Sequence, residues 1–500
     1  MAKSPISSRH STFDIRNSDQ WRLWAVLFAV ALAWRVFLIF EFPGMYTWDA
    51  FTRIWECHTL FVRIWLPLPQ LPVLCVALVG GEIALLRCIY ALFGAAACVS
   101  MGLAATRYWG RQTGWVTGWL VCFFPVFTVF TTVPYQEGML VMFLGLTLWA
   151  WPFRDDGWHG PRSRGHAWIP KMQHAHVSVS MAPGTGGPAA SGARVQNDFR
   201  ADTRLSPWIA SGSLALAGLC RYEAWVIGAV LLVGSMARKR YRDAVYVLPL
   251  ILVALLWVSL RAWYAAGTGP PAEIDSSFQV HLLSEPVTAL LHLMFDAAGN
   301  ALRIGMSQWV WFGSAFVLWE VVQAPRRGGL PGREWLVILA LFSALTLVRG
   351  VNSSLVTYRM LLLPTIWALP YLAAGITALI DRLELRVRPV LTVAVIGIVP
   401  ALFAMKGYLD VEYVEDWFRP EAEAARMLCA LPEDVSVRIV PRVIPGSILR
   451  ESAVGAIFGQ SMRFDPRDRR WFYGGHAAGE RAENPDVVLS WNGTEYVFDK

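Results

Sequence analysis

Residues 23–40 read LWAVLFAVALAWRVFLIF, eighteen positions in which Arg35 is the one ionisable side chain. A helix needs roughly 20 such residues to cross the hydrocarbon of a bilayer. A surface helix of a soluble domain would interrupt the run with polar residues on one face. The stretch therefore reads as a transmembrane helix, and it sets the class of the whole chain. The preceding residues carry Lys3, Arg9, Arg16 and Arg22. The apolar run exceeds a signal-peptide core and no small-residue cleavage site follows, so a retained first span is expected.

Similar blocks recur outward from it, near 83–105, 114–131, 137–152, 207–220, 224–236, 244–260, 307–323, 335–348, 360–378 and 389–405. Composition agrees: of 500 residues 55% are hydrophobic and 16% charged, against about 25% charged in soluble domains. The 25 tryptophans suit the headgroup zone. The expected fold is an α-helical polytopic membrane protein of about eleven helices, with a small C-terminal α/β domain. A Pro-rich stretch from Trp65 to Leu74 reads as a helix lying in the interface.

Lys and Arg counts orient the spans. With the N-terminus inside, the loops 1–22, 106–113, 153–206, 237–243, 324–334 and 381–388 hold 23 basic residues. The opposite loops 41–82, 132–136, 221–223, 261–306 and 349–359 hold 7. Basic residues favour the cytoplasmic side, so the N-terminus is expected inside and the C-terminus outside, in a plasma or inner membrane. The net charge of +7 then needs no nucleic-acid partner. Segment 153–206 is rich in Gly, Ser, Pro and Arg and reads as a disordered cytoplasmic loop. Its histidines, His159, His166, His174 and His176, match no metal-ligand spacing. The seven cysteines include no C-x-x-C pair and read as small buried hydrophobes.

The chain therefore divides into a tail, 1–22, a membrane domain, 23–405, and an extracytoplasmic α/β cap, 406–500. Within the cap, Pro420-Glu421-Ala422-Glu423 opens a helix, with proline first and acids in the first turn. Val435–Val440 alternates like a strand. Val487–Trp491, Asn492-Gly493 and Thr494–Phe498 predict a hairpin closed by a two-residue turn.

Ionisable residues at span ends are costly and mark functional candidates. The expected topology places them on one side. Asp49 lies in the first external loop beside Trp48, and Glu137 opens the fourth span. Arg221 and Glu223 flank Tyr222 in the next external turn, and Tyr358-Arg359 precedes the tenth span. Helix N-termini also favour carboxylates for plain electrostatic reasons, which is the alternative for Glu137 and Glu223. Converging acids and arginines suit transfer from a lipid-linked phosphate. A carboxylate takes the proton of an acceptor hydroxyl, while arginines stabilise the departing phosphate.

At these residues the chain resembles the GT-C glycosyltransferase superfamily, in particular bacterial members akin to protein O-mannosyltransferases and the lipid A aminoarabinose transferase. The resemblance runs over roughly residues 23–405. It rests on an ordered set: Arg35, Asp49, Trp65-Leu66-Pro67-Leu68-Pro69, Leu86-Arg87, Arg107-Tyr108-Trp109-Gly110-Arg111, Glu137, Arg221-Tyr222-Glu223, and Tyr358-Arg359-Met360-Leu361-Leu362-Leu363-Pro364. It implies an inverting transferase with a polyprenyl- or dolichyl-phosphate sugar donor. Asp49 would be the base and Glu137 a second acid near the acceptor or a metal. Arg221 and Arg359 would bind the lipid phosphate, with Glu223, Tyr358 and Trp48 as further substrate contacts. The acceptor is a protein, lipid or glycan. Many relatives carry two adjacent acids in the first loop, whereas Asp49 stands between Trp48 and Ala50. No cofactor is assigned, and a divalent cation stays open. Competing readings are a transporter or flippase for a lipid-linked sugar, a non-catalytic membrane scaffold, and an oligosaccharide ligase using a lipid diphosphate donor.

Overall fold

A computed structural model describes residues 14–44, 50, 53–54, 60, 66–79, 81–151, 206–237, 239–268, 335, 337–342, 358–382, 388–429, 437–440, 471–473, 487–492 and 495–499. Most of the expected loops 153–206 and 261–306, the span 307–323 and much of 335–348 lie outside them, as do Trp48 and Asp49.

The chain is an integral membrane protein built mainly of helices. Helix α1 spans Asp14–Glu41, α2 Gln70–Leu78, α3 Ile83–Trp109, α4 Arg111–Phe123, α5 Pro125–Thr131 and α6 Glu137–Ala150. Then come α7, Ser206–Cys220, α8, Glu223–Ala237, and the short α9, Tyr241–Ala244, which leads through a 3-10 turn into α10, Leu248–Thr268. Helices α11, Tyr358–Arg382, and α12, Arg388–Cys429, follow among the described residues. Trp21–Glu41, Ile83–Trp109 and Tyr241–Trp263 are each long and apolar enough to cross a bilayer. Helices α6, α7 and α8 and residues 362–377 of α11 are shorter and equally apolar.

Helix α3 lies at the centre because it is built of small residues. Ala95, Ala97, Gly102, Ala104 and Ala105 are all buried, and small residues let membrane helices approach closely. The approach to α4 is tight enough that a Cβ on Gly114 would stand 1.9 Å from Thr106 Oγ1 and 2.5 Å from the Gly102 carbonyl. A Cβ on Gly94 would lie 2.5 Å from Thr131 Cβ and 2.8 Å from Arg35 Nε.

The expected third span, 114–131, is corrected: it is two helices, α4 and α5, meeting at 63°. Pro125 lacks an N–H, and the residue before a proline is pushed out of helical geometry. Phe124 accordingly has ψ 117°. Arg35 supports the break, donating to Thr131 Oγ1 (2.7 Å), to the Cys122 carbonyl (3.3 Å) and to that of Ala31 (3.0 Å). Its guanidinium also stands 5.5 Å from the centre of the Phe127 ring.

The Pro-rich stretch forms a helix later than expected, over Gln70–Leu78, because Pro67 and Pro69 delay its start. The helix expected to open at Pro420 does not begin there. Helix α12 runs unbroken for 42 residues through Pro400 and Pro420. At 1.5 Å per residue it is about 60 Å long, twice the hydrocarbon thickness, and so it carries the chain past the boundary expected at 406.

Four strands follow: β1, Val437–Val440, β2, Trp471–Tyr473, β3, Val487–Trp491, and β4, Tyr496–Asp499. Their order is β2-β1-β3-β4, with β1 parallel to both neighbours and β3 antiparallel to β4. The hairpin forms, but its turn sits one residue later than expected. Trp491 pairs with Tyr496. The Asn492 N–H donates to the Glu495 carbonyl at 3.1 Å, and the Glu495 N–H donates to Asn492 Oδ1 at 3.0 Å. The Asn492 side chain thus supplies an acceptor within the closing pair. Because the partner moves by two positions, each strand keeps its face.

Candidate active site

Helix α6 begins at Glu137, directly after the irregular stretch through Pro134, Tyr135 and Gln136. Its carboxylate stands in the first turn, where the helix dipole favours negative charge. Helices α7 and α8 are joined by Arg221 and Tyr222 alone. This turn is held by the Arg221 N–H to the Ala217 carbonyl (3.1 Å) and by Trp225 Nε1 to that of Gly218 (2.7 Å). The Tyr222 ring packs edge-on against Trp225 at 4.9 Å. A turn this short leaves Arg221 and Glu223 on one corner of the helix pair.

That corner meets the start of α6. Arg221 grips Glu223 with two nitrogens, Nε at 3.0 Å and Nη2 at 2.5 Å, and reaches Glu137 Oε1 with Nη1 at 2.6 Å. Glu137 is 0% exposed, Glu223 5% and Arg221 9%, so the three charges are shielded from solvent together. Burial works against the charge of Arg221, but Glu223 and Glu137 outweigh it and push its pKa above the ordinary value. Paired, bidentate contacts of this kind make a buried guanidinium tolerable.

The segment after α1 reaches the same corner. Arg53 donates from Nη2 to Gln136 Oε1 at 2.7 Å, and Gln70 Nε2 donates to the Arg53 carbonyl at 2.9 Å. Burial lowers the Arg53 pKa, with Tyr90 and Glu137 opposing the fall. Leu68 N–H donates to the Leu219 carbonyl at 3.1 Å, tying the Pro-rich stretch to the end of α7. Tyr90 donates to the Pro69 carbonyl. Arg87 donates to the carbonyls of Thr132 (2.8 Å), Phe42 (2.9 Å) and Pro43 (3.0 Å).

The structure thus brings together Glu137, Arg221 and Glu223 from the sequence-derived set. Tyr358 and Arg359 occupy the first turn of α11; Asp49 and Trp48 lie outside the described residues. Arg53, Gln70 and Gln136 were not singled out from the sequence, and Arg87 entered only through the family pattern. Gln136 and Arg87 stand at expected span ends, where a buried polar side chain must find a partner; Arg53 and Gln70 lie within the expected loop 41–82 and carried no such signal. Among the described residues no group of three or more His, Cys, Asp or Glu could hold a metal ion.

No family model and no curated protein matches the chain. Solved structures do. ArnT from Cupriavidus metallidurans, crystallised with undecaprenyl phosphate, superposes with a TM-score of 0.50 at 16% identity, over 87% of this chain and 84% of that one. The chain has an ArnT-like fold. The oligosaccharyltransferase of Archaeoglobus fulgidus also aligns, with a TM-score of 0.47 at 13% identity, over 87% of this chain and 61% of that one.

Proposed function

We propose that the chain is a glycosyltransferase that moves a sugar from a polyprenyl- or dolichyl-phosphate donor to an acceptor on the extracytoplasmic face. The observation that carries this reading is the buried Glu137–Arg221–Glu223 cluster within an ArnT-like fold. The fold relative was crystallised with undecaprenyl phosphate, a lipid carrier of the class proposed here. The expected external turns, 42–44, 53, 132–137 and 221–223, all contribute to this end of the helices.

In this reading Asp49 is the base. It takes the proton of the acceptor hydroxyl as that oxygen attacks the anomeric carbon. The bond from that carbon to the phosphate oxygen breaks, and the polyprenyl phosphate leaves with the electron pair, inverting the centre. Arg221 and Arg359 stabilise the charge that develops on the phosphate. Glu137 and Glu223 hold Arg221 in place, and Trp48 and Tyr358 contact the sugar. The donor's tail stays in the bilayer.

The test is transfer by purified protein in nanodiscs, offered radiolabelled polyprenyl-phosphate sugars with membrane extract as acceptor. Asp49→Asn is expected to fold normally and to lose activity by a factor of about a hundred or more. Full transfer by a folded Asp49→Asn protein would remove the base assignment. Absence of transfer by the wild type across the donor set would remove the enzyme class.

A further inference from the structure

Between Cys122 and Glu137 the backbone is not continuous helix. It bends by 63° at Phe124–Pro125 and then crosses 132–136 without regular structure. This stretch is buried throughout: Thr131, Thr132, Val133, Tyr135 and Gln136 are all 5% exposed or less. Irregular backbone at that depth survives only where the protein itself supplies hydrogen-bond partners. Here an arginine from another element meets the backbone of the turn, and a second meets one of its side chains. Arg87 of α3 links the Thr132 carbonyl to those of Phe42 and Pro43, which begin the first external loop. Arg53, from later in that loop, is bonded to Gln136, the residue before Glu137. Arg53 and Arg87 are each 1% exposed. The loop is therefore fastened to the 132–136 turn at two places, 42–43 and 53, which bracket Asp49 in the sequence.

We propose that Arg53 and Arg87 are positioning residues: they fasten residues 42–43 and 53 to the 132–136 turn and so hold the start of α6, with Glu137, in a single geometry. For its effect on catalysis the proposal rests on the glycosyltransferase reading; for its structural half it does not. The two arginines are not equivalent. Arg87 spreads its planar fork over three carbonyls from two segments, an arrangement a lysine cannot reproduce. Arg53 bonds the side-chain amide of Gln136.

The experiment is hydrogen exchange by mass spectrometry on the full-length protein in nanodiscs. Arg87→Gln and Arg53→Gln are each expected to speed amide exchange about tenfold or more in both 42–54 and 130–140, the loss expected when a charge-assisted hydrogen bond is removed. The rest of α3 and the strands keep their rates. Gln136→Met, which deletes the Arg53 acceptor from the other side, gives the same pattern. Acceleration confined to one segment, or spread over the whole membrane domain, overturns the proposal.

In the transfer assay, Arg87→Lys and Arg87→Gln both lower kcat about tenfold or more, with the donor KM within about threefold. A change in KM alone, or full activity of Arg87→Lys, also overturns it. If the wild type transfers no sugar, the functional reading fails, while the exchange result still decides whether the two arginines lock the loop to the turn.

Discussion

Arg221 holds two buried carboxylates within 3.0 Å, and the balance of that cluster decides what its removal costs. A buried ion pair contributes little net stability compared with an apolar replacement, because desolvation offsets the attraction. Removing one partner is different, since it strands the remaining charges. Arg221→Met is expected to destabilise the protein by about 3–5 kcal/mol, read as a lower unfolding midpoint in detergent. The triple variant Arg221→Met, Glu137→Gln, Glu223→Gln should recover much of that loss. Equal stabilities for the single and triple variants would mean that the carboxylates are not left uncompensated. The sequence brought out all three residues, because each is ionisable beside an apolar run. It did not show that they touch, since 84 positions separate Glu137 from Arg221.

Helix α12 is long enough to leave the bilayer, and its outer part carries a pH-sensitive group. Asp410 is 8% exposed and paired with Lys406 one turn earlier. Burial pushes its carboxyl from the ordinary 3.8 to about 6, with Lys406 opposing the rise. A raised carboxyl pKa means that the folded state binds the proton more tightly than the unfolded chain. The stabilisation is therefore complete below about pH 4 and is lost as pH rises through about 6. The difference is on the order of 3 kcal/mol at most. Unfolding midpoints of wild type and Asp410→Asn, measured from pH 4 to 7, should diverge in this sense, with the variant lacking the decline. Parallel curves would show that Asp410 titrates normally. Element boundaries were the least legible part of the sequence. Pro125 broke an expected span, whereas Pro400 and Pro420 left α12 continuous. One residue type gave both outcomes, because the surroundings decide whether a freed carbonyl finds a partner. At the α4–α5 break, Arg35 supplies that partner to Cys122.

Across the whole molecule, the contacts sort the expected loops into two ends. At one end lie Phe42, Pro43, Arg53, Thr132, Gln136 and Arg221. At the other, Thr113 bonds Thr377 at 3.0 Å, Arg107 reaches the Trp149 carbonyl at 2.5 Å, and Trp109 packs against Trp335 and Tyr371. Basic residues favour the cytoplasmic side, so their count in the sequence leads us to propose that the first end faces outside. Cysteines introduced as Asp275→Cys and Glu480→Cys are therefore expected to react with an impermeant maleimide on intact cells. Labelling only after permeabilisation would reverse the orientation. The sequence by itself determined the membrane class, the positions of most of the described helices, the orientation argument and the GT-C resemblance, since each follows from hydropathy, charge or short ordered motifs along the chain. Only the tertiary structure decided that Arg53 and Arg87 bridge loop to turn, that Arg221 is shared by two carboxylates, and where the third span breaks. Those features depend on side chains brought together from distant segments, and local pattern holds no record of which buried donor finds which acceptor.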